Sequence, residues 1–225
     1  MTLLEYLEIS ACALWAVAYI ALIRRQHRDK SFLLPLCVLA ANFSWEILHA
    51  GILLAQYQSL GRILRIELGL ELMWVGLDII LIRQTLRYAT AQSPSLVGRY
   101  TLRRFGILFA ACMAVHVLVD AFSNDWLGSY SGFTTDIFLF VMVGRIVASR
   151  RDNRGVCPSF LVLTFVADLI LITSLEQDYG VAWFVMAFRC CRVLVFGYCM
   201  GMYARSRWMP ERSPSPTTVC VSSPV

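Results

Sequence analysis

The chain has 225 residues, of which 58% are hydrophobic and only 16% charged, with a mean hydropathy of +0.64. Soluble domains carry about a quarter charged residues, so this composition excludes an ordinary soluble domain and disordered, fibrous and nucleic-acid-binding chains. The formal charge of +5 does not mark an acidic partner: all but one of the 20 basic residues are arginines, most of them between apolar runs, which is the pattern of membrane topology.

Seven apolar runs follow in order: Leu7–Ile23, Phe32–Tyr57, Ile63–Ile82, Phe105–Phe122, Tyr130–Ala148, Pro158–Leu175 and Gly180–Tyr203. Each is close to the ~18–20 residues a helix needs to cross a bilayer core. Helices are expected because lipid satisfies no backbone hydrogen bond. The fold class is therefore all-α: an integral membrane bundle of seven transmembrane helices over residues 1–204. Residues 205–225, rich in Ser and Pro, read as a disordered cytosolic tail. Glu5 precedes the first run and Glu8 stands at its start, where a secretory leader would be basic, so no signal peptide is expected.

Fifteen of the basic residues fall in the first, third and fifth loops and the tail, against two, Arg62 and Arg65, on the other side. That bias predicts a cytosolic C-terminus and an outer or lumenal N-terminus. Arg145, Arg189 and Arg192 lie within spans. The cysteines sit mostly in apolar runs and read as small hydrophobes, with no disulfide framework.

Charged side chains at bilayer depth cost about 2.5–3.5 kcal/mol each on insertion scales. The spans nevertheless hold Glu46, Glu71, Asp78, Asp120, Asp136 and Asp168 with the three arginines, His49 and His116. Mutual pairing explains some of these. The acids outnumber the arginines, so some carboxyls are expected to be un-ionised, ready to donate a proton. In the second span Asn42, Glu46 and His49 share one helical face, with Trp45 beside them. In the third, Glu67, Glu71, Trp74 and Asp78 form a polar stripe suited to a cavity wall. His116 and Asp120, four residues apart, read as an interhelical tether. Trp15, Trp126 and Trp208 read as interface anchors. Trp45, Trp74 and Trp183 lie nearer the acids, where ring faces stabilise cations.

No aspartate-rich diphosphate motif, HExxH, GxSxG or P-loop is present. The single lysine, Lys30, lies in a loop, which excludes a retinal Schiff base inside the bundle. No metal site and no cofactor are expected.

The string Asn42-x-x-Trp45-Glu46 in the second span, with Trp74, Leu77 and Asp78 in the third, resembles the small transmembrane terpene cyclases of meroterpenoid and indole-diterpene pathways. The resemblance implies proton-initiated cyclisation of a prenyl chain, often ending in an epoxide, on an aromatic or heterocyclic core. It implies Glu46 as part of the acid machinery. It also implies an essential acid in the last span, where this chain reads Arg189-Cys-Cys-Arg192 with none. Asp78, Glu71 or Asp168 supplies the second carboxyl, or the initiating group differs, or this member's function has diverged. Motif position favours Asp78, whereas depth favours Glu71 or Asp168. The assignment is thus Glu46 and Asp78 as catalytic, with Asn42, Trp45, His49, Glu71 and Trp74 as substrate-binding. The partners expected are an oily prenylated small molecule, the lipid bilayer and neighbouring pathway enzymes, with no nucleic acid. The membrane is the endoplasmic reticulum in a fungus or the plasma membrane in a bacterium. A seven-span transporter or proton-coupled channel is the rival reading, since buried acids suit it too. A non-catalytic scaffold is a third.

Overall fold

The computed structural model describes residues 3–92, 101–125, 128–149, 154–179 and 182–208. They form seven helices: α1 (Leu3–Asp29), α2 (Leu36–Ala55), α3 (Arg62–Gln92), α4 (Leu102–Ser123), α5 (Ser129–Ser149), α6 (Pro158–Tyr179) and α7 (Ala182–Trp208). There is no strand among the described residues. Four helical stretches are long and apolar enough to cross a membrane: Glu5–Asp29, Leu36–Ala55, Leu102–Ser123 and Ser129–Ser149. α3 carries Glu67, Glu71 and Asp78 in its middle, and this lowers its hydropathy without shortening it.

Each apolar run becomes a helix, with shifted ends. The second starts at Leu36 rather than Phe32, because Pro35 takes the cap position with φ −71° and ψ 159°. Proline has a fixed φ and no N–H to give, so it suits a helix start. Phe32–Leu34 remain buried in the connecting segment. α3 continues ten residues past Ile82, with Arg83 and Arg87 exposed on its extension. α7 continues to Trp208, while residues 209–225 lie outside the described set. Asn124 ends α4 in the left-handed region at φ 53°, a conformation Asn tolerates better than most residues.

α1 packs on α6 and α3. α2 packs on α3, α4 and α5, and α7 packs on α5 and α6. The main core joins Ala11, Trp15, Tyr19 and Leu22 of α1 to Leu139, Phe140 and Val143 of α5 and Phe160 and Leu161 of α6. α4 turns most of its surface outward: Ile107, Val115, Leu118 and Phe122 are exposed, and only Phe105, His116 and Asp120 are buried. An apolar outer surface of this extent suits lipid contact.

Candidate active site

Asn42 is the hub of a buried polar cluster. Its Nδ2 donates to Glu46 Oε1 at 2.7 Å, to Tyr19 Oη at 2.9 Å and to Asp78 Oδ2 at 3.0 Å. Helical spacing places Glu46 one turn beyond Asn42 on α2. Packing of α3 on both α2 and α1 supplies Asp78 and brings Tyr19 within reach. Glu46 is 3% exposed and Asp78 is fully buried. An amide nitrogen has two hydrogens, so the three acceptors compete for them. Among the described residues no ion pair reaches Glu46 or Asp78. Glu46 Oε2 and Asp78 Oδ1 are buried with no hydrogen-bond partner there. Two carboxyls on one amide without a cation can hold and pass a proton at low energetic cost.

Glu71 Oε2 and Trp74 Nε1, one turn apart on α3, are also buried without a hydrogen-bond partner among the described residues. Glu71 lies within electrostatic reach of Glu46, and of Cys12 across the contact with α1. The stripe thus borders the cluster without joining its hydrogen bonds.

Trp45 faces α5. Its indole N–H points at Gly128 O at 3.0 Å and Ser131 Oγ at 3.1 Å. Its ring lies so close to Gly132 that a Cβ there would sit 3.0 Å from it. The His49 ring lies tilted against Trp45 with centroids 4.4 Å apart, and Nδ1 meets Trp45 O at 2.8 Å. Its Nε2 stands 3.3 Å from Asp120 Oδ2. His116 Nε2 reaches Ala41 O at 3.0 Å. Both α4 residues therefore grip α2, and the tether runs between helices.

A second buried cluster is separate. Arg192 and Asp168 form an ion pair with 1% and 0% side-chain exposure. Asp168 Oδ1 also accepts from Trp15 Nε1 at 2.8 Å, and the Arg192 guanidinium lies 3.7 Å above the Phe140 ring. Trp15 is therefore no interface anchor; it is buried and closes the shell around Asp168. Of the other arginines within spans, Arg145 is exposed and Arg189 bonds Thr173 Oγ1 at 3.3 Å.

The structure brings together Asn42, Glu46 and Asp78, borders them with Glu71 and Trp74, and sets Trp45 and His49 against α5 and α4. The side chains of Trp126, Trp183 and Trp208 lie outside the described residues. Tyr19 is a participant that the spacing arguments missed. Its position one turn from Trp15 on the buried face of α1 was the available signal. No group of three or more His, Cys, Asp and Glu side chains positioned to hold a metal exists among the described residues, and the seven described cysteines are free.

An apolar groove of about 560 Å³ opens nearby between α2, α3 and α4. Phe43 and Ile79, next in sequence to Asn42 and Asp78, line it, with Arg83 and Arg87 at its edge.

Compared with known protein families, residues 1–174 match the Pyr4-like transmembrane terpene cyclases. A relative, terpene cyclase macJ of Penicillium terrestre, is 25% identical over 145 residues, which are 63% of this chain and 53% of that protein. The match thus spans about half of the relative's length. No solved structure matches.

Proposed function

The chain belongs to the Pyr4-like transmembrane terpene cyclases, and from that premise we propose that it closes rings in a prenylated aromatic or heterocyclic substrate by protonating it. The observation that carries this reading is the Asn42–Glu46–Asp78 cluster: two buried carboxyls on one neutral amide, each with an unmet oxygen and no cation paired to it. Such a pair is a poor structural tie, since nothing offsets its desolvation cost. It is a proton store, because with no cation to favour the carboxylate the proton stays on the pair until an acceptor reaches it.

In this mechanism Glu46 carries the proton. The O–H bond breaks, the proton moves to an epoxide oxygen or a terminal alkene, and the resulting carbocation is attacked by the next double bond. Asn42 holds both carboxyls in position, and its N–H stabilises the carboxylate that Glu46 leaves. Trp74 and Trp45 line the neighbouring helices, and aromatic ring faces stabilise positive charge in a water-poor site. The protein's own residues supply the proton, so no metal or organic cofactor enters this scheme. An oily substrate reaches the cluster sideways from the bilayer, and the α2–α3–α4 groove, lined by the sequence neighbours Phe43 and Ile79, offers it an apolar landing surface. The arginine bias orients the bundle with its C-terminus in the cytosol; in a fungal host the membrane is the endoplasmic reticulum.

The reading is tested by expressing the protein in microsomal membranes and feeding aromatics that carry epoxy-farnesyl or epoxy-geranylgeranyl chains. Cyclised isomers of the substrate are the expected result. Proton flux in proteoliposomes with no organic turnover would instead make the protein a channel.

A further inference from the structure

We infer that the groove between α2, α3 and α4 is a binding site for one anionic phospholipid, with an acyl chain in the apolar trough and the phosphate on Arg83 and Arg87. The site lies on the flank of the bundle, and the inference stands independently of the cyclase reading above.

The groove has an apolar floor and a cationic edge. Phe43 of α2, Ile79 and Ile82 of α3 and Phe105 of α4 line the floor. Ile82 and Phe105 are buried, whereas Ile79 is 53% exposed and open to an occupant. Phe43 packs on Phe105 with ring centroids 6.1 Å apart, which ties the α2 and α4 walls together. The volume of about 560 Å³ falls within the roughly 300–1,000 Å³ of ligand pockets in general. The charged side chains that line the groove are Arg83 and Arg87, with no acid among the lining residues.

The two arginines are four residues apart, so they share one face of α3, and both are exposed. Arg83 follows directly on the apolar run that ends at Ile82, and no ion pair reaches it among the described residues. Across the groove, Leu102 at the start of α4 is also a lining residue, and Arg103 and Arg104 stand exposed between it and Phe105. From Ile79 the lining thus passes from apolar side chains to guanidiniums within about 6–12 Å along α3.

That polarity profile matches a phospholipid at the level where its acyl chains meet the phosphate. A water-soluble anion would leave the apolar floor bare, and a neutral oil would leave the guanidiniums unmatched. The planar fork of arginine meets phosphate oxygens in pairs, and basic pockets between spanning helices take anionic headgroups. A prenylated substrate landing on this groove therefore exchanges with a lipid already there.

The experiment places the full-length protein in nanodiscs of equal parts phosphatidylcholine and phosphatidylserine, releases it into detergent and counts retained lipids by native mass spectrometry. Thermal unfolding in detergent checks that each variant is intact. Wild type should keep one phosphatidylserine. An arginine near an anionic headgroup is worth roughly 5-fold in affinity, or about 1 kcal/mol. Arg83→Gln/Arg87→Gln should therefore weaken retention roughly 25-fold. Arg24→Gln/Arg205→Gln removes the same charge from exposed positions on α1 and α7 and should keep the lipid. Ile79→Trp fills the trough with no change of charge and should also lose it. Equal retention of the two phospholipids, equal loss in the two arginine pairs, or unchanged retention in an intact Ile79→Trp would each overturn the assignment. So would displacement by glycerophosphoserine at the lipid's own concentration, because the trough would then contribute nothing. A dimer in place of the lipid adduct would give the groove to a second copy of the chain and overturn it as well.

Discussion

Two buried acidic clusters share this bundle and differ in what surrounds them. Asp168 meets an arginine, a tryptophan N–H and aromatic walls, so an opposite charge stands directly against it. Glu46 and Asp78 meet one amide and one tyrosine, with no cation paired to them and two oxygens unmet. The first arrangement is a structural clamp between α1, α6 and α7. The second has little to offer stability and much to offer proton transfer. Burial alone therefore does not assign a role to an acid in a membrane protein; its counter-charge does.

The comparison breaks most visibly through Glu46. Glu46→Gln keeps the amide contact, so it should fold and unfold like wild type while substrate consumption drops by about 10²–10⁴-fold, measured on membranes with matched protein levels. Arg192→Met should do the reverse. Removing one partner of a buried ion pair leaves the other charge uncompensated and costs roughly 3–5 kcal/mol. Reversible unfolding in mixed micelles should show that loss, and should show it largely recovered when Asp168→Leu is added.

Two smaller effects sharpen the boundary between clamp and site. Gly128 has φ +68°, and a Cβ there would overlap the His49 imidazole. Gly128→Ala should lose about 1–3 kcal/mol through backbone strain, and should also disturb the His49–Asp120 contact between α2 and α4; the histidine ring resonances in NMR read that directly. His116→Phe removes the bond to Ala41 O. That carbonyl also accepts from Ser44 Oγ at 2.9 Å, so nothing is left unpaired. The cost should be only about 0.6 kcal/mol, the usual worth of such a bond in a bilayer, which unfolding titration reads, and turnover assays should find product ratios unchanged.

Much of this was legible in the chain. Seven apolar runs announce seven helices, because a bilayer leaves no alternative for the backbone. The Asn42–Glu46 pair is legible from a spacing of four. His49 shows where such reasoning stops. Spacing assigned it to the face of Asn42, but seven residues is about 10 Å along a helix. At that height the neighbour is Asp120 of α4 rather than the acid pair. Trp15 differs from its sequence expectation for a related reason. Its distance from the span end suggests an interface, whereas its role depends on Asp168, 153 residues later. Tyr19 owes its role entirely to which helices become neighbours, and periodicity within one helix carries no record of that.

The most direct test sets the two clusters side by side in one assay. Membranes holding wild type, Glu46→Gln or the Asp168→Leu/Arg192→Met double variant receive the same epoxy-prenyl aromatic, and cyclised product is measured over time. Product formation should vanish in Glu46→Gln and persist in the double variant. Turnover that survives in Glu46→Gln would contradict the account.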